Sequence, residues 1–203
     1  MGERRTELGN NPARRLKYLQ RRRGFGLAWS QSTGMDSRSV LLADAAATAA
    51  LGAELAQRWL EQSTGQTGGG GLQILLLEGN LGAGKTSLVQ GLAAALGIEE
   101  PITSPSFALA QHYASEQGPR PTALVHLDLY RLEQPAAADE LFAQEEEEAQ
   151  ALGALLAVEW PGRLSFEPAG AWRVELQLLD PQDPEAGRLA LLRLPPDAAA
   201  APQ

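Results

Sequence analysis

The apolar positions fall into two rhythms along the chain. Leu51, Leu55 and Trp59 recur every four residues through an Ala-rich stretch that Asp44 can cap, which predicts an amphipathic helix to about Gln62. Ser63 to Gly71 is a Gly-rich connector. The run Leu72-Gln73-Ile74-Leu75-Leu76-Leu77 is short and nearly all apolar, the pattern of a parallel strand buried on both faces. A glycine-rich turn follows, then a helix from Lys85 to Leu96 that Gly97 stops. Pro101 and Pro105 hold residues 102–107 extended, and Ala108 to Tyr113 continues as a strand. Beyond a turn at residues 118–121, Ala123-Leu124-Val125 leads into His126-Leu127-Asp128. Pro135 opens an acidic helix through Glu140 and Glu145 to Glu148, and Leu155 to Val158 is a buried strand ending at Glu159-Trp160-Pro161. Trp172, Val174, Leu176 and Leu178 alternate, as does Arg188 to Leu194, which predicts a hairpin across residues 180–187. Strands alternating with helices give an α/β class: a mainly parallel central sheet flanked by helices, with a C-terminal β-hairpin.

Composition narrows the chemistry. The 203 residues include no Cys and two His, which excludes disulfides, thiolate catalysis, iron–sulfur clusters and Cys-ligated zinc in this chain. No apolar run approaches the roughly 18 residues of a spanning helix, and the expected location is the cytoplasm. Charge is uneven. Residues 1–38 hold nine basic against three acidic side chains, a net +6, so the remainder of a chain of net charge −8 carries −14. The basic segment reads as a disordered extension, with Met35 a possible true start, leaving a domain at 39–194 and a disordered Pro/Ala tail at 195–203. A domain this acidic is a poor electrostatic match for nucleic acid.

Gly79-Asn80-Leu81-Gly82-Ala83-Gly84-Lys85-Thr86 fits G-x-x-x-x-G-K-[ST], after a buried strand and opening a helix, and predicts a P-loop NTPase fold. Glycines let successive amides converge on phosphate oxygens, and the helix N-terminus adds its partial positive charge. Asn80 to Ser87 would cradle the nucleotide, Lys85 would reach the β- and γ-phosphates, and Thr86 would offer a hard oxygen to Mg²⁺. Asp128 and Glu159 each close an apolar run, where carboxylates can complete the metal shell. His126 would share a strand face with Asp128. A guanine-reading Asn/Thr-Lys-x-Asp motif is impossible because no lysine follows Lys85, which favours ATP.

Gly79 to Thr86, Ser104-Pro105-Ser106-Phe107, His126-Leu127-Asp128-Leu129-Tyr130-Arg131 and Val158-Glu159-Trp160-Pro161 stand in the order and spacing of the TsaE family, which residues 43–194 resemble. The resemblance implies a slow, Mg²⁺-dependent ATPase stimulated by the TsaB–TsaD protein complex, which supports threonylcarbamoylation of adenosine 37 in tRNA and meets tRNA only through those partners. It implies that Thr86 and Glu159 hold the metal, with Asp128 beside them, that Lys85, Asp128 and Glu159 carry the catalysis, and that residues 104–107 sense the γ-phosphate. Thr48 would lie near the adenine, Ser106 in the sensing loop and Trp160 beside the nucleotide. Ser106 stands where the family usually has Thr, and Arg131 and Arg163 are candidate arginine fingers. The residues leave two other readings open: a P-loop small-molecule kinase, and an ATP-binding switch or scaffold without catalysis.

Overall fold

A computed structural model describes residues 30–32, 35–64, 73–115 and 122–195. The extension before residue 30, most of the Gly-rich connector, the turn at 118–121 and the Pro/Ala tail beyond Pro195 lie outside the described residues. Elements follow in the order β1 (Ser30–Ser32), β2 (Met35–Leu42), α1 (Ala45–Thr64), β3 (Gln73–Glu78), α2 (Lys85–Ala95), β4 (Ala110–Ser115), β5 (Thr122–Asp128), α3 (Pro135–Leu152), β6 (Leu155–Glu159), β7 (Trp172–Leu178) and β8 (Arg188–Leu194).

All eight strands join one sheet in the order β1-β2-β8-β7-β3-β6-β5-β4. The sheet is mixed, which corrects the mainly parallel sheet expected from sequence. Only the centre, β7-β3-β6-β5, is parallel. β4 pairs antiparallel on one side, and β1, β2 and β8 pair antiparallel on the other. The cause is connection length: β8 follows β7 after nine residues, too few for a crossover, so it must run back beside it. β2 then pairs with β8 over seven residues, from Asp36↔Leu194 to Leu42↔Arg188. The sheet therefore begins before residue 39, and Met35 to Arg38, assigned above to the extension, are part of it.

The central strand shows why its apolar run is continuous. Leu75 and Leu77 face a core shared with α1 and α2, while Ile74 and Leu76 face a second core under α3. Asp44 caps α1 as expected, its Oδ1 accepting from the Ala47 N–H at 2.7 Å. α1 and α2 cross with their backbones nearly touching. A Cβ on Gly52 would lie 2.0 Å from the Leu88 carbonyl oxygen, and one on Gly91 would lie 1.8 Å from that of Ala49. α3 ends at Gly153, whose φ of 61° closes the helix in the left-handed conformation.

Candidate functional site

The carboxyl ends of the parallel strands gather the residues singled out by sequence. From β3 the chain turns through Gly79 to Gly84 directly into α2. Gly84 has φ 102°, which a side-chain-bearing residue avoids, and a Cβ there would sit 2.4 Å from Arg188 Nη1. Gly82 has nothing within 4 Å of a Cβ position, so the outer side of the turn is an open cradle. Leu81 beside it is 75% exposed.

Lys85 curls back over this turn. Its Nζ donates to the carbonyl oxygens of Gly79 and Asn80 at 2.8 and 3.2 Å and lies 4.2 Å from the Trp160 ring centroid. Burial pushes its ammonium below the usual lysine value of 10.5, while the negative charges of Glu159 and Asp128 pull it back up. Next in sequence, Thr86 donates its hydroxyl to Glu159 Oε1 at 3.0 Å. That bond commits the hydroxyl hydrogen and leaves oxygen lone pairs free for another partner. Ser87 is half-buried in the first turn of the same helix.

Glu159 and Asp128 close neighbouring strands and are register partners. Asp128 is already engaged: Oδ2 accepts from Ser104 and Ser106 hydroxyls at 2.9 and 2.6 Å, and Oδ1 accepts from the Tyr130 N–H at 3.0 Å. Its own N–H donates to Leu109 O at 2.8 Å. The Asp128 carboxylate thus ties down Ser104 and Ser106, and its backbone N–H holds Leu109. Phe107 projects from that loop, 87% exposed, with the Arg131 guanidinium 4.1 Å over its ring.

Trp160 is one of two non-glycine residues with positive φ among the described residues (61°). Three contacts hold it there: its N–H donates to Leu77 O at 3.2 Å, its ring meets Tyr130 with centroids 4.9 Å apart, and Lys85 caps it. Trp160 also lines a cavity of about 530 Å³ with Glu78, Asn80, Phe166, Arg173 and Glu175. Thr48 is buried, its hydroxyl donating at 2.9 Å to the O of Asp44, the residue that caps its helix. Its methyl group would meet a Cβ on Gly84 at 3.5 Å, so it borders the turn through carbon.

Sequence reasoning missed Arg188. It is 5% exposed behind the turn, with Nη1 donating to Ala83 O at 3.3 Å and Nη2 to Pro184 O at 3.2 Å. The signal was present: Arg188 is in phase with Ala190, Leu192 and Leu194, the buried positions of β8, so the alternation places a charge in the core. Arg188→Met keeps the bulk and removes the donors. Amide hydrogen exchange at Ala83 and Gly84 should then rise about 10-fold or more, since a bond to a charged donor contributes about 1.5–3 kcal/mol. Unchanged exchange would show that the guanidinium does not brace the turn.

The fold and site define an α/β protein that keeps its reactive side chains on the carboxyl edge of a parallel sheet core, behind a glycine turn that opens a helix. A sequence model described as threonylcarbamoyl adenosine biosynthesis protein TsaE matches residues 42–186, and the chain belongs to the TsaE family. It is similar to curated proteins named tRNA threonylcarbamoyladenosine biosynthesis protein TsaE: 43% identical over 96 residues in Nostoc sp., which is 47% of this chain and 57% of that one. The Synechocystis sp. relative is 46% identical over 98 residues, 47% of this chain and 59% of that protein. These alignments span less than two thirds of the relatives' length. A crystal structure of Bacillus subtilis YdiB shares the fold with TM-score 0.54 and 22% identity, covering 81% of this chain and 90% of that one.

Proposed function

We propose that this chain is an ATPase of tRNA threonylcarbamoyladenosine synthesis, binding ATP with Mg²⁺ and hydrolysing it slowly until the TsaB–TsaD complex stimulates it. The observation that carries the reading is the meeting of the Thr86 hydroxyl and the Glu159 carboxylate at 3.0 Å, directly after a lysine folded over a glycine turn. Hydroxyl and carboxylate oxygens are the donors Mg²⁺ prefers, and an open glycine cradle admits phosphate oxygens. Thr86 and Glu159 would hold the ion, which supplies charge neutralisation on the phosphates when bound.

The chain's own groups do the rest. Lys85 exchanges its two carbonyl partners for phosphate oxygens, and the start of α2 adds amide donors. Asp128 holds Ser104 and Ser106 so that their loop can respond to the phosphate end of the nucleotide. Trp160 keeps Lys85 over the turn until a ligand takes it. Leu81 and Phe107, both exposed on loops at this edge, offer apolar contacts to a protein partner. A protein partner holding the tRNA fits the acidic domain better than direct contact with the nucleic acid would. The assignment is to the cytoplasm; among the described residues no helix is long and apolar enough to cross a membrane.

The test is multi-turnover threonylcarbamoylation of tRNA by TsaB and TsaD supplied with threonylcarbamoyl-adenylate and ATP, with the intact chain or with Glu159→Gln. Turnover should require the intact chain and fall about 100-fold or more with the variant. A chain that changes nothing would sink the pathway role. A Glu159→Gln chain that works fully would favour an ATP-binding switch without hydrolysis.

A further inference from the structure

The geometry points to His126 as the residue that positions Glu159. His126 lies on β5 two residues before Asp128, is 0% exposed, and places Nε2 3.0 Å from Glu159 Oε1, the same oxygen that accepts the Thr86 hydroxyl. Its other ring nitrogen, Nδ1, is buried without a hydrogen-bond partner. Both facts fix the tautomer: with the hydrogen on Nε2 the ring donates to the carboxylate and leaves Nδ1 a bare acceptor, whereas the alternative buries an orphaned N–H and sets two lone pairs against each other.

A histidine kept only for packing would satisfy both nitrogens or be replaced by an apolar ring of similar volume, because a buried unpartnered polar atom costs stability. This one makes a single side-chain hydrogen bond, to the carboxylate that reaches the glycine turn. Two donors from two elements, His126 on β5 and Thr86 on α2, converge on Oε1 and fix the carboxylate's rotation, while Oε2 takes part in neither bond. Such partners behind a metal-holding group set its orientation and basicity. The inference rests on the reading of Glu159 as a metal-holding carboxylate, but its structural half does not.

The full-length chain is compared with His126→Leu, His126→Gln and His126→Asn. Gln can bring an amide donor near the Nε2 position and Asn is too short. In the metal-free protein, the ¹⁵N spectrum should show His126 with the hydrogen on Nε2, and the Glu159 carboxyl ¹³C signal should shift in His126→Leu and return towards its original position in His126→Gln. Mn²⁺ titrated by electron paramagnetic resonance with ADP present should bind about 10- to 100-fold more weakly to His126→Leu and His126→Asn, and within about 3-fold of the original for His126→Gln. ADP binding in EDTA should be unaffected in all three. An unmoved Glu159 signal, or equal Mn²⁺ affinity in His126→Leu where Glu159→Gln binds Mn²⁺ more weakly, overturns the proposal. If Glu159→Gln binds Mn²⁺ as the original does, the metal reading of Glu159 fails, and the metal-free spectra alone decide whether His126 positions it. Should His126→Leu not fold, the Gln and Asn pair makes the same comparison.

Discussion

Replacing Lys85 by Met should leave the chain folded and at least as heat-resistant, while the proposed ATP hydrolysis should fall by about 100- to 1,000-fold or more. The two effects share one cause. In the unliganded protein the ammonium is buried, which lowers its proton affinity below the ordinary 10.5, with Glu159 and Asp128 offsetting part of that. A group that holds its proton less tightly when folded than when unfolded lowers stability at neutral pH. The loss is relieved as pH rises through the depressed folded value towards 10.5, where the unfolded chain alone keeps the proton. Met keeps the aliphatic stem against Trp160 and omits the charge. Melting temperatures from pH 7 to 10 should therefore show the wild-type chain gaining on Lys85→Met as pH rises. Bound phosphate supplies the counter-charge, so ATP should stabilise the wild type far more than the variant. A variant that melts well below the wild type at pH 7, or that hydrolyses ATP normally, would contradict this account of Lys85.

Gly91→Ala and Gly52→Ala should destabilise the chain although each improves helix propensity. On an exposed helix such a change stabilises by about 0.5–1 kcal/mol. Here the added carbons would meet the carbonyl oxygens of Ala49 at 1.8 Å and Leu88 at 2.0 Å, backbone atoms that no rotamer change can move aside. The helices must separate, at a cost of about 1–3 kcal/mol and a fall of about 2–4 °C in Tm per kcal/mol for a domain of this size. The consequence reaches the site, because α1 carries Thr48 against the turn and α2 begins with Lys85 and Thr86. Calorimetry decides the sign. A rise in Tm for both variants would mean that the crossing is loose, and weaker ATP binding in the surviving fraction would show that it sets the turn.

Much of this site was legible because its chemistry is local. The glycine turn, Lys85 and Thr86 occupy eight consecutive residues, and their spacing carries the geometry. Asp128 and Glu159 were readable as carboxylates ending apolar runs, and the register pairing of those strand ends brings them together. Of the antiparallel flank, the β7–β8 hairpin was legible as two alternating runs and is present, but β2 was not. β2 is Met35–Leu42, where four consecutive polar residues, Asp36 to Ser39, precede Val40-Leu41-Leu42, and it follows a basic stretch, so no period-two rhythm marks it. Its partner β8 is about 150 residues away, and pairing at that distance leaves no local trace. Arg188 was missed for a related reason: its importance lies in the Ala83 carbonyl it meets, 105 residues earlier.

The placement of β8 also orders events during synthesis. Helices α1 and α2, with the turn between β3 and α2, lie in the first half of the chain and can pack on each other as it emerges. β8, which enters the sheet between β7 and β2, is the last of the described elements to be made, and it delivers Arg188 to the back of the turn. Until then a nascent chain has a glycine turn without its brace and an open edge at β7. Pairing of β8 between β7 and β2 is the step that braces the turn.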